Sequence, residues 1–96
     1  MKNIAIFASG NGSNFKVIYE QIKLGFIDGN IVLFVTNSKK CNAYKFAQEK
    51  LLTTFIINKF RYPNIEIGNN ILIRKLFKHN VDLICLAGYM KMISPI

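Results

Sequence analysis

The sequence predicts an α/β protein: a doubly wound open parallel sheet in the order β-α-β-α-β-α-β. Three observations carry this. Four short runs, at 3–8, 31–36, 53–57 and 81–86, are almost continuously apolar, the mark of strands buried on both faces rather than wetted on one. Between them, apolar residues recur at the three- and four-residue spacing of amphipathic helices. Strands of this kind separated by helices pair in parallel through right-handed crossovers.

Each element has its own signature. Asn3 to Ala8 (NIAIFA) is a compact apolar run closed by Ser9-Gly10. From Asn14 to Lys23, Phe15, Ile18 and Ile22 follow helical spacing, and Gly25 stands where a helix stops. Ile31 to Thr36 (IVLFVT) is the second buried strand. Ala43, Phe46, Ala47 and Leu51 mark a short second helix, and Thr53 to Ile57 (TTFII) is β-branched enough for a third strand. Ile67, Ile71 and Leu76 predict a third helix within 64–79, before the fourth strand at Val81 to Leu86, ended by Ala87-Gly88.

If the strand order is 3-2-1-4, the first and fourth strands are neighbours. Ligands in such sheets bind beyond the carboxyl ends of the strands, where the order reverses. Two loops, 9–14 and 87–93, then face one crevice. The chain reaches Ile96 soon after its fourth strand with no helix to follow. The expectation is therefore a single domain over residues 1–96, truncated after the fourth strand. One face of that strand lacks cover, and self-association can occur through the uncovered sheet edge.

Composition narrows the functional classes. With 96 residues, of which 51% are hydrophobic, the chain is neither a disordered tail nor a collagen-like repeat. A fold of this size buries somewhat more than about 60% of its unfolded surface, enough for one modest core. No apolar run approaches the roughly 18 residues of a membrane span. The apolar stretch after Met1 is too short for a signal peptide, so a cytoplasmic protein with no membrane partner is expected. Cys41 and Cys85 form no Cys-x-x-Cys pair, so neither a metal site nor a disulfide framework is expected.

The net charge of +8 invites a nucleic-acid reading. Eleven of the thirteen basic residues are Lys, scattered from Lys2 to Lys91, and only Lys39 and Lys40 are adjacent lysines. Lys, Ile and Asn share AT-rich codons, whereas a nucleic-acid face shows Arg clusters and interleaved aromatics. No nucleic-acid partner is expected. The charge suits an anionic small ligand.

Ser9-Gly10-Asn11-Gly12-Ser13-Asn14 lies between a buried strand and a helix start. Gly10 and Gly12 permit positive φ and close backbone approach. Ser13 or Asn14 can cap the helix, whose positive end favours an anion such as phosphate. The same Gly and capping residue could serve turn geometry alone. The arrangement is Rossmann-like, yet a dinucleotide fingerprint needs a third Gly where Phe15 stands, and an acidic residue where Thr36-Asn37 stands. No Lys follows Gly12, so the P-loop of NTPases is absent too.

The second loop, Leu86-Ala87-Gly88-Tyr89-Met90-Lys91-Met92-Ile93-Ser94-Pro95, has Met90, Met92 and Ile93 as walls for a flat apolar ring, or as ordinary core of a short helix. Taken with the first loop some 75 positions earlier, it resembles the N-terminal half of the glycinamide ribonucleotide formyltransferases. The resemblance covers essentially the whole chain. Methionyl-tRNA formyltransferases share the fold but usually lack Gly-Asn-Gly-Ser-Asn in the first loop. The resemblance implies transfer of a formyl group from 10-formyltetrahydrofolate to the amine of glycinamide ribonucleotide, an early step of purine synthesis.

Residue by residue, the resemblance implies that Gly12, Ser13 and Asn14 hold the substrate phosphate. It implies that Met90, Lys91, Met92 and Ile93 line the folate site. Family members often carry Arg at position 91 and Phe at 89; Lys91 keeps the charge without the planar fork, and Tyr89 keeps the ring. A further folate-contacting Arg falls near Arg61, in a loop, 58–64, that aligns poorly. The family's catalytic Asn, His and Asp, the first two in an Asn-Ile-His-Pro segment, are expected beyond Ile96. His79 matches none of them and is expected to be a solvated helix end. The 96-residue chain alone is then expected to be inactive. The alternatives are a non-catalytic phosphate- or nucleotide-binding module and an inactive truncated gene product.

Overall fold

A computed structural model describes residues 2–87 of the chain. Seven elements alternate: β1 (Lys2–Phe7), α1 (Ser13–Lys23), β2 (Gly29–Thr36), α2 (Asn42–Glu49), β3 (Thr54–Ile56), α3 (Ile65–Lys78) and β4 (Leu83–Leu86). The four strands form one parallel sheet in the order β3-β2-β1-β4. The element order is the one the sequence predicts, and the strand order is the one supposed in placing both loops at one crevice.

The crossovers decide which face each helix covers. The chain steps outward from β1 to β3 and then returns across the sheet to β4. Right-handed connections therefore put α1 and α2 on one face and α3 on the other. On the first face Ile4, Ile6, Ala8 and Phe34 pack with Phe15 of α1 and with Ala43 and Ala47 of α2. Phe15 stacks on Phe34 with ring centroids 4.6 Å apart and meets the edge of Phe46 at 5.3 Å. A fully buried Phe of this kind contributes about 1.5–3 kcal/mol. On the opposite face Ala5, Phe7, Leu33, Val35, Phe55 and Ile57 pack against Leu72 of α3.

All three helices end in the same way. Gly25, Leu51 and Asn80 adopt φ of 83°, 57° and 54° just past the caps of α1, α2 and α3. In each, the next two N–H groups bond back into the last turn: Phe26 to Gln21 and Gly25 to Ile22, Leu52 to Ala47 and Leu51 to Gln48, Val81 to Leu76 and Asn80 to Phe77. This paired bonding satisfies carbonyls the helix end leaves open. It also delays β4, predicted from Val81, until Leu83. Val81 is used by the helix stop, and Asp82 is pinned to Asn3, whose N–H donates to Asp82 Oδ2 at 2.9 Å.

The two sheet edges differ. On β4, Leu83, Ile84 and Leu86 are exposed, Leu86 by 69%. An apolar groove beside them is walled by Ile73, Leu76 and Phe77 of α3. The edge at β3 is polar.

Candidate functional site

Gly12 is the pivot of the first loop. It holds φ of 69°, and a Cβ there would stand 2.7 Å from the Ala43 Cβ and 2.9 Å from its Cα. Only glycine meets both demands, because left-handed backbone is strained for other residues and the space is already filled. Two further contacts strap the loop to the amino end of α2: Ala43 N–H donates to the Gly10 carbonyl at 3.0 Å, and Asn42 Nδ2 donates to Asn11 Oδ1 at 3.3 Å.

The helix start differs from the sequence expectation. Neither Ser13 nor Asn14 caps α1. The helix begins one residue earlier than the periodicity suggests, at Ser13, and Gly12 occupies the capping position with no side-chain cap. The cause is the left-handed conformation of Gly12, which turns the chain into the helix before a serine or asparagine can fold back over it. The side chains of Ser13 and Asn14 remain exposed beside that uncapped end.

A second helix end lies close by. Cys41 caps α2: its Sγ accepts from Tyr44 N–H at 3.4 Å and lies 3.4 Å from the Thr36 hydroxyl. Sequence reasoning gave Cys41 no such part. Neither α1 nor α2 carries an acidic residue in its first turn, so two positive dipole ends meet at one loop without a carboxylate to offset them. Chemically this suits an anion held by N–H groups, a hydroxyl and an amide.

The carboxyl end of β4 adjoins the same loop. Leu86 pairs with Phe7, and Ala87 N–H donates to the Phe7 carbonyl at 2.8 Å. Both loops singled out in the sequence therefore start from adjacent strand ends at the point where strand order reverses. Gly12, Ser13 and Asn14 stand together there. Met90, Lys91, Met92 and Ile93 lie outside the described residues.

Arg61 is elsewhere. It follows β3, two strands away from β1, and its N–H donates to Asn58 Oδ1 at 2.8 Å. His79 caps the carboxyl end of α3, the opposite end of the sheet from the crevice. One residue was missed. Asn69 is 5% exposed, and its buried Nδ2 has no hydrogen-bond partner among the described residues. It borders an apolar cavity with Phe7, Leu72 and Leu86. The available signal was its spacing, three residues before Leu72 on the buried stripe of α3.

Comparison with known proteins gives a consistent result. The profile of a family described as Formyl transferase matches residues 2–96. The chain is 38% identical over 93 residues to the chloroplastic phosphoribosylglycinamide formyltransferase of Arabidopsis thaliana, covering 96% of this chain and 32% of that protein. It is 36% identical over 94 residues to the Bacillus subtilis phosphoribosylglycinamide formyltransferase, covering 98% of this chain and 48% of the relative. In structure it is similar to the crystal structure of phosphoribosylglycinamide formyltransferase from Bacillus halodurans, with a TM-score of 0.89, 26% identity, and coverage of 98% of this chain and 48% of that one. The chain thus spans a third to a half of these relatives.

Proposed function

The chain belongs to the formyl transferase family, and on that premise we propose that it carries the phosphate-binding half of a site for glycinamide ribonucleotide, with 10-formyltetrahydrofolate as formyl donor, in purine biosynthesis. The observation that carries the proposal is the uncapped amino end of α1 at Gly12, with Ser13 and Asn14 exposed beside it. The substrate phosphate sits on this end, accepting from backbone N–H groups, the Ser13 hydroxyl and the Asn14 amide. The net charge of +8 favours approach of such an anion.

Met90, Lys91, Met92 and Ile93 line the folate side in this proposal. The exposed side chain of Leu86 at the end of β4 is apolar surface that suits a flat ring. The 96 residues contain no Asn-x-His-Pro segment, and their one histidine, His79, lies at the far end of α3. Turnover therefore needs an acid–base group that residues 1–96 do not supply. The same observation favours the second reading, a phosphate-binding module without chemistry. Its place of work is the cytoplasm in either case, although the Arabidopsis relative is chloroplastic.

Calorimetric titration of glycinamide ribonucleotide tests the loop. Ser13→Ala with Asn14→Ala is expected to weaken binding by about one to a few kcal/mol, since charge-assisted bonds are lost. Unchanged affinity would remove the loop from the site. Added 10-formyltetrahydrofolate is expected to give no product with residues 1–96 alone; measurable formyl transfer would return the chemistry to this chain.

A further inference from the structure

The free edge of β3 carries a groove that the phosphate loop does not use. Its volume is about 520 Å³, and Lys39, Tyr44, Gln48, Arg61, Tyr62 and Lys75 supply its polar wall. Three cations from three separate segments meet there, and no carboxylate lines it. The floor is the strand itself, at Thr54, Phe55 and Ile56.

The strand's backbone is half used. The Thr53 carbonyl accepts from Phe34 N–H at 2.8 Å, and Ile57 N–H donates to the Thr36 carbonyl at 2.9 Å. In a parallel ladder alternate residues bond to the same neighbour. Thr54 and Ile56 therefore turn their N–H and C=O groups outward, because β3 is the terminal strand of the sheet. A compact ion has no use for such a row, whereas an extended peptide pairs with it.

We propose that this groove docks an extended acidic peptide, which adds to the sheet as a fifth strand beyond β3. Its backbone pairs with Thr54 and Ile56, and its carboxylates meet Lys39, Arg61 and Lys75. Charge complementarity selects the occupant. The contrast with the other edge supports it: β4 offers an apolar border, while β3 offers cations and hydroxyls. Lys75 is held in position over the Phe55 ring, its Nζ 5.3 Å from the centroid. The proposal is independent of the formyl transfer chemistry, since this edge is two strands from β1 and its loop.

Fluorescence anisotropy with a labelled peptide of alternating Glu and Val, seven residues long, tests this at low salt. Saturable binding is expected, weakened at least tenfold in Arg61→Glu with Lys75→Glu, and weakened by added salt. The same peptide N-methylated at alternate backbone positions, so that it cannot pair along an edge, is expected to bind at least tenfold more weakly. Thr54→Pro removes one outward N–H and leaves the β2 ladder intact; it is expected to weaken binding more than Thr54→Val, which removes only the hydroxyl's bonds with Gln48 and the Leu52 carbonyl. Equal binding of the N-methylated peptide would reduce the contact to charge alone and overturn the proposal. So would equal binding by the charge-reversed protein, full displacement by inorganic pyrophosphate, or no saturation with the unmodified peptide.

Discussion

Gly12 and Ala43 lie so close across the loop that joins the first strand to the first helix that a Cβ at position 12 would stand 2.7 Å from the Ala43 Cβ. The contact couples the geometry of the 9–14 loop to the position of α2. A residue that changes the fit at 12 moves either the loop or the helix.

Gly12→Ala therefore has a large expected cost. Left-handed backbone for a non-glycine costs about 1–2 kcal/mol, and overpacking adds about 1–3 kcal/mol. Urea unfolding is expected to show a loss of roughly 2–5 kcal/mol, the sum of those two ranges. A midpoint equal to that of the parent would mean the contact is not as tight as described.

Leu51 predicts the opposite sign. It occupies the left-handed position after α2, where Gly25 and Asn80 serve the other two helices, and its side chain is 91% exposed. Leu51→Gly relieves the backbone strain without removing packing, and is expected to raise stability by about 1 kcal/mol. Thermal unfolding checks this; a lowered melting temperature would contradict it.

Much of the architecture was legible because burial on both faces leaves unbroken apolar runs such as Ile4 to Ala8 and Ile31 to Val35. The strand order was only supposed, because right-handed crossovers fix the hand of each connection and not which edge the next strand joins. Helix ends were less legible. Gly25 announced its turn, but Leu51 adopts the same conformation against its own preference, driven by the bonds of Leu51 and Leu52 back into α2. The capping of α1 was misread because Gly12, not a side chain, makes the turn. That Lys39, Arg61 and Lys75 share one edge was not legible, since only the wound sheet brings residues from three segments together.

We propose that a protein of residues 1–96 associates through β4. Among the described residues β4 is the terminal strand and Leu83, Ile84 and Leu86 present apolar surface beside it, which is a template for pairing. Light scattering across a dilution series is expected to show a mass that falls with concentration. Leu86→Glu is expected to shift the equilibrium to monomer. A parent protein that stays monomeric at every concentration would contradict this.

The most direct test of the phosphate loop compares glycinamide ribonucleotide with the same riboside lacking its phosphate, titrated into the parent protein and into Ser13→Ala/Asn14→Ala. If the loop at Gly12 holds the phosphate, the parent will prefer the phosphorylated ligand, and the double variant will lose most of that preference while its affinity for the riboside stays the same. An equal preference in both proteins would place the phosphate elsewhere and contradict the account.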